Sequence, residues 1–411
     1  MFARTKRWIQ KKNELHRDYI KALVLGIYPE FVYKKVDCIP ADKIPIFVFH
    51  SVRPESFERQ IRYLAENNYH TLKADELYDI ITEKKRCKQK AIALTFDDGL
   101  RSLWSVAYPL LKKYGLCAIS FIVPFRLDNE VEYQSNLYKP SYNENTNKNI
   151  KIRNSGRLLC NWEEIHQMHL SGTIDFQSHT SFHHTVFTGK KIVDFVNPNL
   201  RPYFIYDVLS PVIRKNEKDI FPRKLALGQP IYQSAPAMSV RRRYIEDENL
   251  SAQIIDYVQS RGGFTFFKRP RWRIDLNSFV EKHIKKYGIN GLFQTLEERY
   301  SEIRRDVLKS KLLIEERLNK QVRHLGYPWY KGSKLSVNAS REVGYYCNYW
   351  GVPGSKEMTR SKMSPYYLNR IDAEFILALP GRGRIPFGRI LFNKYFKFEI
   401  RKIIQQKQNT S

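Results

Sequence analysis

The chain has 411 residues, enough to bury a full core and too many for a minimal domain, so one large domain with an insertion, or two domains, is expected. Hydrophobic residues make up 42% and charged ones 27%, a globular balance that excludes a disordered chain. The formal net charge of +28 calls for an anionic partner, whether nucleic acid, acidic lipid or an acidic glycan, and charge alone does not choose among them.

Residues 1–40 read as a basic arm, densest from Arg4 to Lys21 and interrupted by Glu14 and Asp18. Its one apolar run, Ala22 to Tyr28, stops at Pro29, too short for a membrane span and poorly built for a signal peptide. Five cysteines (Cys38, Cys87, Cys117, Cys160, Cys347) lack C-x-x-C spacing, which speaks for a reducing compartment and against disulfides or a thiolate metal site. Cys117 and Cys160 lie in apolar runs and are expected as small buried hydrophobes. The expected location is cytoplasmic.

The first strand is predicted at Ile44–Phe49, delivering His50 at its end. Phe57, Ile61 and Leu64 recur at helical spacing, giving a helix over Pro54–Asn67 with Pro near its start, and Ala74–Lys84 repeats the pattern. A β-rich run, Ala91–Phe96, precedes a helix over Leu103–Lys113 that ends at Gly115. A strand at Cys117–Val123 follows, then a helix at Trp162–Leu170 closed by Gly172, and a strand at Thr173–Ser178 leading to His179. Strand and helix in alternation imply a parallel sheet with helices outside it, and in barrels of that kind chemistry collects at the strands' C-terminal edge.

Two short stretches at that edge carry chemistry. Thr95-Phe96-Asp97-Asp98-Gly99 closes one strand; eighty residues after Gly99 comes His179-Thr180-Ser181-Phe182-His183. Successive side chains of a strand face opposite ways, so Asp97 and Asp98 converge only if the chain turns, which Gly99 permits. Two carboxylates held together call for a cation; a solvated, capped turn is the bland alternative. His179 and His183 are four apart, so a helical turn aims both rings the same way, suiting two imidazole ligands. His184 is either a helper or a bystander, and His50 either joins the site or makes a structural hydrogen bond. His166 and His169, three apart on one helix with no carboxylate nearby, read as surface histidines.

In this order the two stretches resemble the first two motifs, TFDDG and H-[S/T]-x-x-H, of the NodB-homology polysaccharide deacetylases. The resemblance covers about 44–185 and 303–375. It implies a distorted (β/α) barrel of the NodB type, an α/β fold, with Asp98, His179 and His183 as ligands of one divalent ion, zinc being the expectation, and Asp97 as general base. It further implies a substrate contact at Tyr327, with a backbone N–H near it for the oxyanion. In that frame an amphipathic helix over Tyr300–Asn319 and the strand ending Tyr327-Pro328-Trp329 follow a large insertion. The divisions are a basic arm at 1–40, barrel at 41–185, insertion at 186–302, barrel at 303–380 and a basic amphipathic tail at 381–411.

Three later motifs depart from the pattern. The arginine that orients the base in many members is absent before Tyr327, where Leu325-Gly326 stand and Arg323 is displaced; no Asp–Trp pair is recognisable, Asn348-Tyr349-Trp350-Gly351 being nearest. Where a histidine acid is often found, Tyr367-Leu368-Asn369-Arg370-Ile371-Asp372 has arginine. The expected function is metal-dependent removal of an N-acetyl or similar acyl group from an amino sugar of a polysaccharide or lipid-linked glycan. The alternative is a catalytically inactive barrel that binds glycan or membrane. Phe264-Thr265-Phe266-Phe267-Lys268 is expected as a wall of the substrate cleft, ahead of a hairpin edge, and no nucleic acid is expected. The tail can place apolar residues from Pro386 to Ile404 in one helical stripe edged by Lys394, Lys397, Arg401 and Lys402, the pattern of a helix at an anionic membrane surface on the cytoplasmic side; a C-terminal helix packed on the barrel with its lysines facing water is the alternative.

Overall fold

The computed structural model describes residues 24–40, 42–127, 159–200, 226–351, 359–360 and 362–393. Its centre is a run of eight strands that follow one another in space as in the chain: Ile46–Phe49, Ala91–Asp98, Ala118–Ile122, Ile174–Ser178, His324–Gly326, Cys347–Trp350, Leu368–Asn369 and Ile371–Asp372. Every pairing is parallel, and the last strand lies against the first, so the sheet curls into a barrel. Leu368–Asn369 bonds to Cys347–Trp350 on one side and Ile371–Asp372 to Ile46–Phe49 on the other, leaving Arg370 alone at the seam.

Period-two alternation sorts the side chains. Ile92, Leu94 and Phe96 join the core beneath the surrounding helices. Ala93, Ile119, Phe121, Cys347 and Tyr349 form a second cluster that includes Ala74, Leu77, Ile80 and Ile81 of the helix Ala74–Ile81. Asp97 shares the register of Ala93 and Thr95 and therefore faces the barrel interior. Gly326 is required there: a Cβ on it would stand 2.7 Å from the Phe121 ring.

The predicted elements appear with small shifts in their ends. The helix expected over Leu103–Lys113 opens with a wide π turn, Leu103–Ala107, before Tyr108–Lys113; Pro109 has no N–H to continue the ordinary ladder upstream. Cys160 is buried as expected, whereas Cys117 is half-buried and bonded to Thr71. All five thiols are free.

Between the histidine stretch and the fifth strand, a hairpin of Thr185–Phe195 against Pro230–Pro236 carries helices Glu248–Gln259 and Trp272–Tyr287. Phe195, Ile254, Phe266, Phe267 and Trp272 give this insertion its own core. Phe266 and Phe267 are therefore core residues on a 3-10 turn, Gly263–Lys268, and not a cleft wall or a hairpin edge; of the run's three aromatic rings only that of Phe264 is exposed. The long helix starts at Leu296, capped by Thr295, so it crosses the expected boundary at 302. At the C-terminus, a helix over 387–393 packs Ile390 into the main core with Phe387 and Leu391 against it. The arm from Arg4 to Lys21 and the lysines and arginine expected at 394, 397, 401 and 402 lie outside the described residues. No helix among the described residues is long and apolar enough to cross a membrane.

Candidate active site

Parallel strands bring His50, Asp97, Asp98, His179, the 327–330 segment and Arg370 to one rim of the barrel. Asp98 ends its strand with φ of +73° and Gly99 follows at +72°, so the turn begins one residue earlier than the glycine alone suggested. It swings the Asp98 carboxylate back toward the axis. The histidine stretch is not helical; it is a compact loop in which Thr180 and His183 take φ of +67° and +48°. The His183 N–H donates to Thr180 Oγ1 at 3.2 Å, Arg126 Nη2 donates to the His183 carbonyl at 2.8 Å, and both ends are thereby held. The two rings still converge, with centroids 5.0 Å apart.

Among the described residues, Asp98, His179 and His183 form the cluster able to hold an ion, their donor atoms lying within 4.8 Å of one another. Asp98 Oδ1 is 3.6 Å from His179 Nε2 and 3.4 Å from His183 Nε2. The His179 Nδ1–H donates to the Gly326 carbonyl at 2.8 Å, which sets the tautomer and leaves Nε2 as the free donor atom facing the carboxylate. Burial pushes the His179 pKa down against the pull of Asp97 and Asp98. Burial, with His179 and Arg126 nearby, pushes His183 down further. Two neutral imidazoles and one carboxylate with open positions remaining are the donor set of a catalytic divalent site, so the residues fit such an ion.

Asp97 is 2% exposed, and its two oxygens face different partners. Oδ2 lies 3.8 Å from His179 Nε2, while Oδ1 accepts from Arg370 Nη1 at 2.6 Å. Burial pushes the Asp97 carboxyl up, but Arg370, His179 and His50 outweigh it and hold the carboxyl below its usual range. The guanidinium is fully buried: Nε donates to the Trp350 carbonyl at 3.1 Å, and the group stacks over the rings of Phe121 and Tyr330. Arg370 thus does for Asp97 what an arginine before Tyr327 was expected to do, from the barrel seam instead. The sequence signal was present, an arginine between two short apolar-polar pairs, but nothing in it named the carboxylate.

Tyr327 does not reach the cleft. Its side chain is fully buried against Trp350, its hydroxyl accepts from Asn348 Nδ2 at 2.9 Å, and its N–H donates to the Tyr349 carbonyl at 3.0 Å. The neighbours that line the mouth are Trp329, with its ring 4.1 Å from that of His183, and Tyr330, 5.9 Å from the exposed His50. His184 sits behind the loop, buried, with Nδ1 3.7 Å from Asp306 Oδ2; burial pushes the imidazole down to about 3 and the carboxyl up to about 6. That places it in the scaffold. His166 and His169 stay on the outer helix.

Residues 84–197 match the family described as Polysaccharide deacetylase. YxkH of Bacillus subtilis (strain 168), a protein named as a polysaccharide deacetylase, is 35% identical over 89 residues, which is 20% of this chain and 32% of YxkH. The poly-beta-1,6-N-acetyl-D-glucosamine N-deacetylase of Escherichia coli (strain K12) is 24% identical over 164 residues, 38% of this chain and 22% of that one. Among solved structures, the BpsB deacetylase domain of Bordetella bronchiseptica aligns at 15% identity with a TM-score of 0.49, over 82% of this chain and 97% of that one. The chain thus spans about a third or less of the length of these two curated relatives. The segment that matches the polysaccharide deacetylase family holds Asp97, Asp98, His179 and His183 together, and the barrel presents all four at one rim.

Proposed function

We propose that the chain hydrolyses the amide of an N-acylated amino sugar in a glycan, with Asp98, His179 and His183 holding one divalent ion, zinc by donor type, and Asp97 as general base. The observation that carries this is the asymmetry of Asp97: one oxygen is locked by Arg370 while the other points at the ligand set. A bound divalent ion supplies Lewis acidity, acidifying water and polarising the amide carbonyl. Asp97 Oδ2 accepts the proton of the attacking water, and Arg370 keeps that carboxylate ionised and aimed. His50, the exposed imidazole of the rim, is the acid this reading assigns to the leaving amine. The names of the relatives make β-1,6-linked N-acetylglucosamine the first substrate to offer. Work at the cytoplasmic membrane face, on a lipid-linked precursor, is part of the proposal, supported by the free thiols and the net charge of +28.

The test is metal content together with acyl release, read by mass, from β-1,6-linked and lipid-linked N-acetylhexosamines. About one equivalent of ion is expected, lost in His183→Ala. Asp97→Asn is expected to keep the ion and lose on the order of a hundred- to ten-thousand-fold in rate. Full ion retention in His183→Ala would overturn the ligand set, and an ion-loaded protein inert on every sugar would leave a binding module.

A further inference from the structure

We propose that the groove between the helix Lys334–Glu342 and the 364–367 segment binds a negatively charged saccharide, holding a sugar ring on Tyr367 and its acidic groups on Lys334 and Arg341. The groove has a volume of about 340 Å³, runs along the helix that links the fifth and sixth strands, and shares no residue with the ion cluster. Lys334, Asn338 and Arg341 follow one another at helical spacings of four and three, so they line one face of the helix and form one wall. At 1.5 Å per residue the two cations stand about 10 Å apart along the axis, the length of a disaccharide. Ser364, Tyr366 and Tyr367 form the facing wall.

The second wall is held in place from behind. Trp350 Nε1 donates to the Tyr366 carbonyl at 2.8 Å, the Tyr366 hydroxyl donates to the Tyr345 carbonyl at 3.1 Å, and Tyr367 stacks on Trp350 with centroids 5.6 Å apart. One face of the Tyr367 ring is thus covered, yet the residue stays 43% exposed, so the other face is open. The apolar C–H face of a pyranose packs on such a ring and leaves the sugar's polar groups for the edges. The Arg341 guanidinium lies 4.9 Å from the centre of the Tyr366 ring, which fixes a planar fork of donors at one end. Lys334 stands at the other. Among the described residues no carboxylate lines the groove or pairs with either cation; Glu342, next to Arg341, is taken by Tyr300 and Arg304 of the long helix. Two uncompensated cations at that separation suit acidic groups on successive sugar units better than one small ion shared between them. Phosphodiesters and uronic carboxylates offer these donors the same chemistry. The groove also backs onto the catalytic rim, since the Trp350 that supports Tyr367 gives its carbonyl to Arg370 Nε at 3.1 Å.

The test is calorimetry on the full chain, at low and high salt, with tetragalacturonate, a glycosyl-phosphate tetramer, the neutral β-1,6-linked N-acetylglucosamine tetramer and inorganic phosphate. At least one acidic tetramer is expected to bind more tightly than the neutral one and to weaken with salt, and the one that binds names the source of the charge. Lys334→Gln combined with Arg341→Gln should weaken it about tenfold, the scale of two exposed charge contacts. Lys282→Gln combined with Lys285→Gln removes the same charge from the insertion and should leave affinity nearly unchanged. Tyr367→Ala should weaken the acidic tetramer and not inorganic phosphate; should that variant lose its fold, Tyr367→Leu keeps the bulk and loses the ring. Equal affinity for acidic and neutral tetramers, or equal losses in the two double variants, overturns the site. Insensitivity of the acidic tetramer to loss of the Tyr367 ring overturns the saccharide. Acyl release is read on the same proteins: groove-dependent acidic binding without turnover of any sugar leaves this site standing and sinks the hydrolase reading, and turnover without acidic binding does the reverse.

Discussion

A carboxyl enclosed in an apolar barrel is ordinarily protonated, and Asp97 escapes that fate through Arg370. The sign of the pH dependence follows. The Asp97 pKa is held below its unfolded value of about 4, so the pairing stabilises the fold above that pH and the contribution is lost as pH falls through the folded pKa. In Arg370→Met, burial acts unopposed and the carboxyl rises. The acidic limb of kcat/KM is then expected to move to higher pH by about one to three units, the range for losing one opposite charge. Denaturation at two pH values should show the variant becoming relatively more stable on acidification, the opposite of wild type. An unmoved limb would mean that Arg370 only fills space. That Asp98, His179 and His183 come together was legible in the sequence because ligand chemistry restricts residue type and spacing. Arg370 was not: its partner is 273 residues away, and a lone arginine carries no record of which carboxylate it meets.

At the level of elements, the ligand loop depends on a helix that the family motifs do not mention. Asp306, on the long helix Leu296–Leu318, accepts the Ser181 N–H at 2.6 Å, and the Ser181 hydroxyl donates to the Asp306 carbonyl at 2.6 Å. One helical turn earlier, Arg299 and Arg243 both pair with Glu302 at 2.8 and 2.6 Å, and Arg299 also donates to the carbonyls of Val240 and Ala237. The helix therefore clamps the loop from one side and the insertion from the other. Asp306→Ala leaves the buried Ser181 N–H without its acceptor and should cost about 1–3 kcal/mol in a denaturant melt. Ion affinity in a competition titration should fall about tenfold, the low end for groups one step removed from ligands. Wild-type affinity in that variant would show the loop to be self-supporting. Periodicity announced the helix, since its apolar side recurs at helical spacing. Its start was placed at Tyr300 instead of Leu296 because Leu296, Glu297 and Glu298 are exposed and Arg299 is a buried charge, so the first turn adds nothing to the apolar period.

On the scale of the whole molecule, the alternation of strands and helices made the barrel readable, whereas the insertion's internal packing was not: its aromatic runs look alike whether they line a cleft or fill a core. We propose that the charge of +28 meets an anionic surface. Attraction of about 1 kcal/mol per basic residue near an anionic surface predicts salt-sensitive sedimentation with acidic vesicles and little with neutral ones. Because Ile390 is packed in the core, the informative truncation is after Asn393, which removes the lysines beyond it and spares the packed turn. Undiminished binding by that truncation would assign the attraction elsewhere on the surface. The seam at Arg370 carries one more consequence, and it concerns time. All three residues of the cluster able to hold an ion have been synthesised by His183, but the guanidinium that pairs with Asp97 arrives nearly two hundred residues later, in the very segment whose docking closes the barrel. A nascent chain therefore carries the side chains of the ion cluster well before Gly326 and Asp306, which order them, and longer still before the guanidinium that pairs with Asp97. On the proposed mechanism the base is armed only with the last strands, and a barrel that reopened at its seam would lose that pairing.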